Sequence, residues 1–452
     1  MKYIKFLGAS GTVTGSCYLL KEDNGPNVLV DMGMFQGQQE IADLNYAPLQ
    51  FDPSNVYGVI LTHAHLDHCG RLPLLTKNGF KGRIFMTEAT KDLTEIALLD
   101  AAHISEHEQE RPQLFNEVDV HRLLEHAEIV TYDQAFKVGN WHVIFRDAGH
   151  ILGSASIEFE DKNSSDGISK IVFSGDLGNS PQDILKPTQT INQANIVVME
   201  STYGGRKHPH IDPSQVIQEE INAVEQSKGV LLIPAFSIER SQELLHRIDH
   251  LKREGKVHQQ TPIYLDSPMA SRVTKVYKIY KQYYNQELSE HTQHDDPFNF
   301  PGLIITKNTE ESAKIHTTSG PMVIIAGSGM MTGGRILHHA RKYLPRKSTH
   351  LLFVGYQGIE TLGRDILSGT RTASILESEI TVRASIRDLA AMSAHADEPK
   401  LLKWLSYIRD VHKVYLTHGD SVPRADLASA IKNHLGISDI VLPQMNEEYE
   451  ID

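Results

Sequence analysis

The chain has 452 residues, with 57 acidic against 44 basic side chains and a formal net charge of −13. Its 40% apolar and 22% charged residues exclude a mainly disordered chain, and no run approaches the roughly 18 apolar residues of a membrane span. Two cysteines, Cys17 and Cys69, exclude a disulfide scaffold and a thiolate metal cluster, and they suit a reducing, cytoplasmic setting. Short β runs come first, rich in β-branched or aromatic residues and bounded by Gly, Asp, Asn or Pro. They are predicted at 3–7, 16–20, 28–31, 56–61, 84–87, 141–147, 155–160, 171–174 and 196–200. Helical periodicity appears at 88–107 and around 120–126, and the polar loop 161–170 predicts a hairpin.

From Ile211 the texture changes. Asp212-Pro213 opens a helix and Gly229 follows its end. Next come the strand VLLIPAF, a helix over 237–254, the strand PIYLDS and a long helix from Met269. After a polar loop follow the strand MVIIAG, a glycine-rich turn, a helix from Ile336 and the strand HLLFVGY. Such alternation predicts a parallel sheet with helical crossovers. The later segment VYLTHGD matches the earlier VILTHAH in texture. An α/β chain follows, with one domain formed by 1–205 and 366–452 and a second inserted at 206–365.

The unusual number is 24 histidines. In VILTHAHLDHCGRLP, residues 59–73, His63, His65, Asp67 and His68 follow a buried-looking strand. Residues two apart share one face of an extended chain, so His63 and His65 can bind one ion together. Asp67 and His68, on the turn that follows, can face a second. Imidazoles with a hard carboxylate suit zinc and also admit manganese or iron. His150 in RDAGHILGSAS, Asp176 in VFSGDLGNS and His418 in VYLTHGD sit at further strand ends beside glycine. The segment from Met322, MVIIAGSGMMTGGRILHHARKYL, has glycines that let backbone N–H groups approach a phosphate. Ser328, Thr332 and Arg335 could add side-chain donors there. Arg341, Lys342, Arg346, Lys347 and Arg364 suit either a basic groove or a solvated helix face. Tyr277, Tyr280, Tyr283 and Tyr284 read as core or interface, and Cys69 as a small buried filler.

Together these residues resemble the ligand set of the metallo-β-lactamase superfamily. ESTYGGR at 200–206, SAHAD at 393–397 and THGD at 417–420 narrow the resemblance to the β-CASP family of RNA-processing nucleases. The resemblance covers nearly the whole chain. It implies an αββα sandwich with an inserted parallel α/β β-CASP domain and an active site in the cleft between them. One metal would be held by His63, His65, His150 and Asp176, the other by Asp67, His68, Asp176 and His418, giving two zinc ions per chain. Asp31 would orient a ligand. The implied activity is hydrolysis of single-stranded RNA by a two-metal activated hydroxide, leaving 5′-phosphate products. It would be endonucleolytic, with room for 5′-to-3′ exonuclease action. Asp67 would handle the proton of the attacking water, His395 would protonate the leaving oxygen, and Glu200 would orient His395. Histidine at 418 fits the RNA-acting branch, since DNA-acting relatives usually carry valine there. Arg240 resembles an RNA-contacting position, although Ile238-Glu239 stand where small residues are common. No membrane partner is expected, and a homodimer is admitted. The rival readings are a small-substrate hydrolase on the same scaffold, a non-catalytic RNA-binding subunit and a DNA nuclease.

Overall fold

Apolar residues that alternate in facing direction build the strands of the first two hundred residues. Val28 and Val30 point into one cluster while Leu29 points into another, and Ile171 and Phe173 are divided from Val172 in the same way. In the computed structural model, which describes residues 1–23, 25–106, 111–162, 170–181, 183–358 and 360–451, every one of the nine expected strands is present within two residues. The helix expected over 88–107 spans Glu88–Glu106, and its last expected residue lies outside the described residues, as do 163–169 of the expected hairpin loop. The flanking strands Ala155–Glu160 and Lys170–Phe173 do pair antiparallel.

The chain divides into two compact units, one of residues 1–207 with 395–452, the other of residues 208–394. The first unit holds two seven-stranded sheets. Phe6, Val30 and Ile60 from one sheet meet Phe145, Phe159, Phe173 and Val198 from the other in a shared core. On the outer face of the first sheet, Leu29, Val59 and Ile84 pack with Leu98 and Leu123 of helices Glu88–Glu106 and Glu117–Leu124. On the outer face of the second, Val172, Val197 and Leu416 pack with Leu401, Trp404 and Leu427 of helices Glu398–Ser406 and Ser421–Leu435. The layers are therefore helix, sheet, sheet, helix. Both faces of each sheet are covered, which is why the central strands read as continuous apolar runs.

The second unit is built on a six-stranded sheet whose pairings are all parallel, and it also carries an antiparallel hairpin, Thr372–Ile375 with Ser378–Thr381. Its helix Pro213–Ser227 is capped by Asp212, whose carboxylate accepts from Ser214 N at 2.9 Å. Ile336, Ala340 and Tyr343 of helix Arg335–Tyr343 pack on Leu232, Ile324 and Phe353. The expected exit at 365 falls inside this unit, which runs on to Ala394. The cause is strand Ser385–Asp388, which pairs parallel with Thr349–Phe353 as the sixth strand. Its sequence, SIRD, carries no apolar run, because it is an edge strand with no fully buried residue. Tyr277, Tyr280 and Tyr284 are buried, as expected of core residues. No helix among the described residues is long and apolar enough to cross a membrane.

Candidate metal centre

Strands Lys170–Phe173, Ile196–Glu200 and Lys413–Thr417 lie side by side and parallel, so their C-terminal ends share one rim. Asp176, Glu200 and His418 sit at that rim. His150 joins them from the connection between the antiparallel strands Trp141–Asp147 and Ala155–Glu160. His63 to His68 follow strand Val56–Ile60 of the other sheet. Chemistry at the carboxyl ends of parallel strands is the usual outcome of such topology, because the loops there diverge from one rigid edge.

Two groups of ligand atoms converge. In the first, His65 Nδ1 lies 3.2 Å from His63 Nε2 and 3.1 Å from His150 Nε2, and Asp176 Oδ2 lies 3.4 Å from His63 Nε2. In the second, His418 Nε2 is 3.2 Å from Asp67 Oδ2, and His68 Nε2 is 3.2 Å from Asp176 Oδ1. The candidate ligand atoms within each group lie within 4.8 Å of one another. Asp176 belongs to both, with one carboxylate oxygen turned to each. Its Oδ1 is buried and has no hydrogen-bond partner among the described residues. Burial lowers the pKa of His63 to about 3 and of His65 to about 4, so both rings keep a free lone pair at neutral pH. Burial alone would raise the Asp176 carboxyl, but His418, His68 and His63 outweigh it and hold it well below the usual carboxylate range. The neutral His63 and His65 rings beside a buried carboxylate with one orphaned oxygen are donors suited to a divalent cation.

The surrounding residues fix the ligands. Asp31 Oδ1 accepts from Thr62 N at 2.8 Å, and its Oδ2 lies 2.8 Å from Thr62 Oγ1 and 2.7 Å from His68 Nδ1. That contact leaves His68 Nε2 for the centre. Asp31 and His418 both adopt left-handed backbone, at φ 57° and 47°. Such strain is held by its surroundings: His418 N donates to Ala9 O at 2.8 Å and Ser201 N to His418 O at 3.1 Å. A Cβ on Gly33 would stand 1.6 Å from Asp67 O, and one on Gly178 would stand 1.7 Å from Gly149 O. Glycine at 33 and 178 is thus what lets the loops carrying Asp67 and His150 approach their neighbours.

His395 closes the group. Its Nδ1 lies 3.2 Å from Glu200 Oε1, and its Nε2 lies 3.9 Å from Asp176 Oδ2. Glu200 is itself fixed, accepting from Leu177 N at 2.7 Å. Burial pulls the His395 pKa down, but Glu200 and Asp176 outweigh it and raise it to about 9. Thr62, Ser16 and Thr202 were not foreseen. Thr62 Oγ1 touches Asp31, His63 and His68, Ser16 Oγ lies 3.3 Å from His68 Nε2, and Thr202 Oγ1 lies 3.1 Å from His418 Nδ1. The place of Thr62 and Thr202 beside His63 and ahead of the STYGGR tyrosine was the available signal.

The expected phosphate donors are differently disposed. Ser328 is half-buried and Thr332 exposed. Ser328 Oγ accepts from Thr332 N at 2.9 Å and Gly333 N at 3.2 Å, which closes the glycine-rich turn. Arg335 donates to Asp266 Oδ1 at 2.6 Å and to Thr306 Oγ1 at 3.1 Å. Arg240 is only 3% exposed, and its Nη1 donates to Glu243 and to Met392 O. These two arginines are therefore committed inside the second unit and are not the open donors expected. Cys69 is buried, as expected.

Known sequences give the same arrangement a lineage. Residues 10–153 match the model of the metallo-beta-lactamase superfamily, residues 241–366 that of the Beta-Casp domain, and residues 379–443 that of the Zn-dependent metallo-hydrolase RNA specificity domain. Ribonuclease TTHA0252 of Thermus thermophilus is 39% identical over 424 residues, covering 93% of each chain. Transcription termination factor FttA of Pyrococcus horikoshii is 30% identical across 97% of this chain and 69% of its own. RNase aCSPSF2 of Saccharolobus solfataricus is 28% identical across 99% of this chain and 85% of its own. In fold, the chain matches a crystal structure of a protein of unknown function from Enterococcus faecalis V583 over 99% of both chains, with a TM-score of 0.56 at 12% identity. With layered sheets, an inserted parallel domain and near-full-length relatives in agreement, the chain belongs to the β-CASP family of the metallo-β-lactamase superfamily.

Proposed function

We propose that this chain is a cytoplasmic, metal-dependent ribonuclease that hydrolyses phosphodiester bonds of single-stranded RNA. The observation that carries the reading is the pair of ligand groups sharing Asp176, with the His395–Glu200 pair beside them. Divalent cations, zinc by the donor chemistry, would when bound polarise the scissile phosphate and lower the pKa of the attacking water. Asp176 sets the spacing of the two groups, because its two oxygens serve one each. Asp67, the most exposed member of the second group, orients the water and accepts its proton. Glu200 accepts from His395 Nδ1 and, together with Asp176, keeps the ring doubly protonated at neutral pH, so that Nε2 also carries a proton, facing the centre. From Nε2 the proton passes to the leaving 3′ oxygen, and the products carry a 5′ phosphate and a 3′ hydroxyl. Ser328 and Thr332 are the donors offered to a backbone phosphate in the second unit, and Arg341, Arg346, Lys347 and Arg364 are exposed bases there.

Cleavage of a 5′-labelled and an internally labelled single-stranded RNA, with and without chelator, tests the reading. Wild type should give chelator-sensitive internal fragments. Loss of the positioned proton donor in His395→Ala should reduce the rate by about 10²–10⁴-fold. Intact RNA after incubation with a metal-loaded, folded wild type would reject the ribonuclease reading. Undiminished cleavage by His395→Ala would reject the role of the imidazole alone.

A further inference from the structure

The second unit contains a second convergence of imidazoles, which the ribonuclease reading does not use. His246 and His250 are one turn apart on helix Arg240–Arg253 and so share a face. His291 lies on helix Gln286–His294. His250 Nε2 is 3.0 Å from His246 Nε2 and 3.1 Å from His291 Nδ1. The three candidate ligand atoms all lie within 4.8 Å of one another. Nitrogens about 2 Å from a tetrahedral zinc ion lie about 3.3 Å from one another, close to this spacing.

Protons alone serve such a triangle poorly. A neutral imidazole nitrogen offers either one N–H or one in-plane lone pair, yet His250 Nε2 faces two other nitrogens. A single cation takes all three lone pairs at once. The first ligand group of the metal centre has the same construction. Its three imidazoles stand 5.0 Å apart between ring centroids, and those of His246, His250 and His291 stand 4.5, 4.9 and 5.5 Å apart. A carboxylate stands behind the outer ring: Asp249 Oδ2 lies 3.3 Å from His291 Nε2, an ion-pair distance without hydrogen-bond alignment, while His291 Nδ1 faces the other two rings. Arg253 Nε holds that carboxylate from the other side at 3.1 Å. Glu287 Oε1, 3.7 Å from His250 Nε2 and largely exposed, is free to turn toward a fourth position.

We propose that His246, His250 and His291 form a further binding site for a divalent transition-metal ion of the zinc type, with Glu287 or water as the fourth ligand, that ties two helices of the inserted unit together. Three imidazoles select zinc, cobalt, nickel or copper over magnesium or calcium. An ion bound only by the folded unit stabilises it in proportion to the logarithm of its concentration.

The test is a zinc count. The full-length, untagged chain is stripped with chelator, dialysed against zinc and analysed for bound metal, beside His250→Ala and His291→Ala. The comparison is repeated in an Asp176→Asn background, so that a change at the metal centre cannot mimic the result. The expected result is one equivalent fewer in each histidine variant, in both backgrounds. Zinc should raise the melting temperature of the second unit in wild type and not in the variants, while RNA cleavage by His250→Ala stays at the wild-type rate. If either alanine variant fails to fold, the other carries the comparison. The Asp176→Asn chain, with His246, His250 and His291 intact, must in any case bind zinc more tightly than the same chain carrying His291→Gln. Equal zinc content and equal zinc response across wild type and variants would overturn the proposal.

Discussion

At the scale of single residues, Asp31 shows how a side chain outside the ligand groups can govern metal affinity. It accepts from the backbone and hydroxyl of Thr62 and fixes the free nitrogen of His68. Its backbone is left-handed, a conformation that Asp and Asn tolerate better than other side chains. Asp31→Asn is therefore a clean probe, since backbone strain and the Oδ1 acceptor for Thr62 N are both kept. What changes is the other terminus, where an amide NH₂ would face His68 Nδ1–H. Outer carboxylates of this kind are worth about 10–100-fold in metal affinity, and a loss of that size is expected. Competition with a chromophoric chelator measures it, and an unchanged affinity would show that His68 is oriented without Asp31. Histidines at strand ends were legible because their spacing along an extended chain is itself the chemistry. Thr62 and Ser16 were not, because hydroxyl residues are common and only the fold shows which one touches three ligand-bearing groups. Nor was the commitment of Arg335 legible, since its partner Asp266 lies 69 residues away in sequence.

At the scale of elements, helix Arg240–Arg253 combines a buried face with a buried ammonium. Lys252 Nζ donates to the carbonyls of Gln259, Thr261 and Pro301 at 2.9, 2.7 and 2.8 Å. Lys252 therefore fastens the segment that follows its own helix to the turn before strand Leu303–Ile305. Burial lowers its pKa to about 8, and three carbonyl acceptors are what compensate a charge held there. Lys252→Met keeps the aliphatic stem and removes all three donors. Each carbonyl left without a partner costs about 1–3 kcal/mol when water cannot replace the donor. Because these carbonyls end in loops, a total of about 3 kcal/mol is expected rather than the full sum. Urea unfolding followed by a probe in the second unit should show a lower midpoint at unchanged slope. A midpoint equal to wild type would mean that water satisfies the three carbonyls. The helix itself was legible from the alternation of strands and helices around it. Its buried lysine was not, because a lysine near a helix end reads as a charge placed for the dipole.

At the scale of the whole molecule, the first unit is assembled from segments far apart in sequence, and its first strand depends on its last. Strand Lys2–Phe6 pairs with Tyr18–Glu22 on one side and with Glu448–Glu450 on the other. Three further backbone bonds extend the second pairing, from Asn446 N to Phe6 O, Phe6 N to Glu447 O and Ile451 N to Lys2 O. Ile451 is buried in the core between the sheets, and Tyr449 packs on Phe6 and Tyr415. The strand at 3–7 was legible from its own residues, but its partner at 448–450 was not, since EYE carries one apolar side chain. Removing residues 446–452 should thus cost the burial of one isoleucine, about 2 kcal/mol, and several backbone bonds at about 1 kcal/mol each beyond what water returns. A loss of about 4 kcal/mol in a unit of this size lowers its melting temperature by about 10 °C. The bared edge of Lys2–Phe6 should also promote association at high concentration. Catalysis should respond differently. The backbone of His418 hangs on Ala9 O, just beyond Phe6, but that loop keeps its own bonds from Leu7 N to Cys17 O and from Ala9 N to Thr14 O. RNA cleavage at 20 °C should therefore stay close to wild type in the truncated chain and fail at a temperature lower by the shift in melting. An unshifted melting temperature would show that the last strand contributes no stability to the sandwich. Loss of cleavage at 20 °C as deep as that of Asp176→Asn would show instead that the last strand holds the metal centre itself.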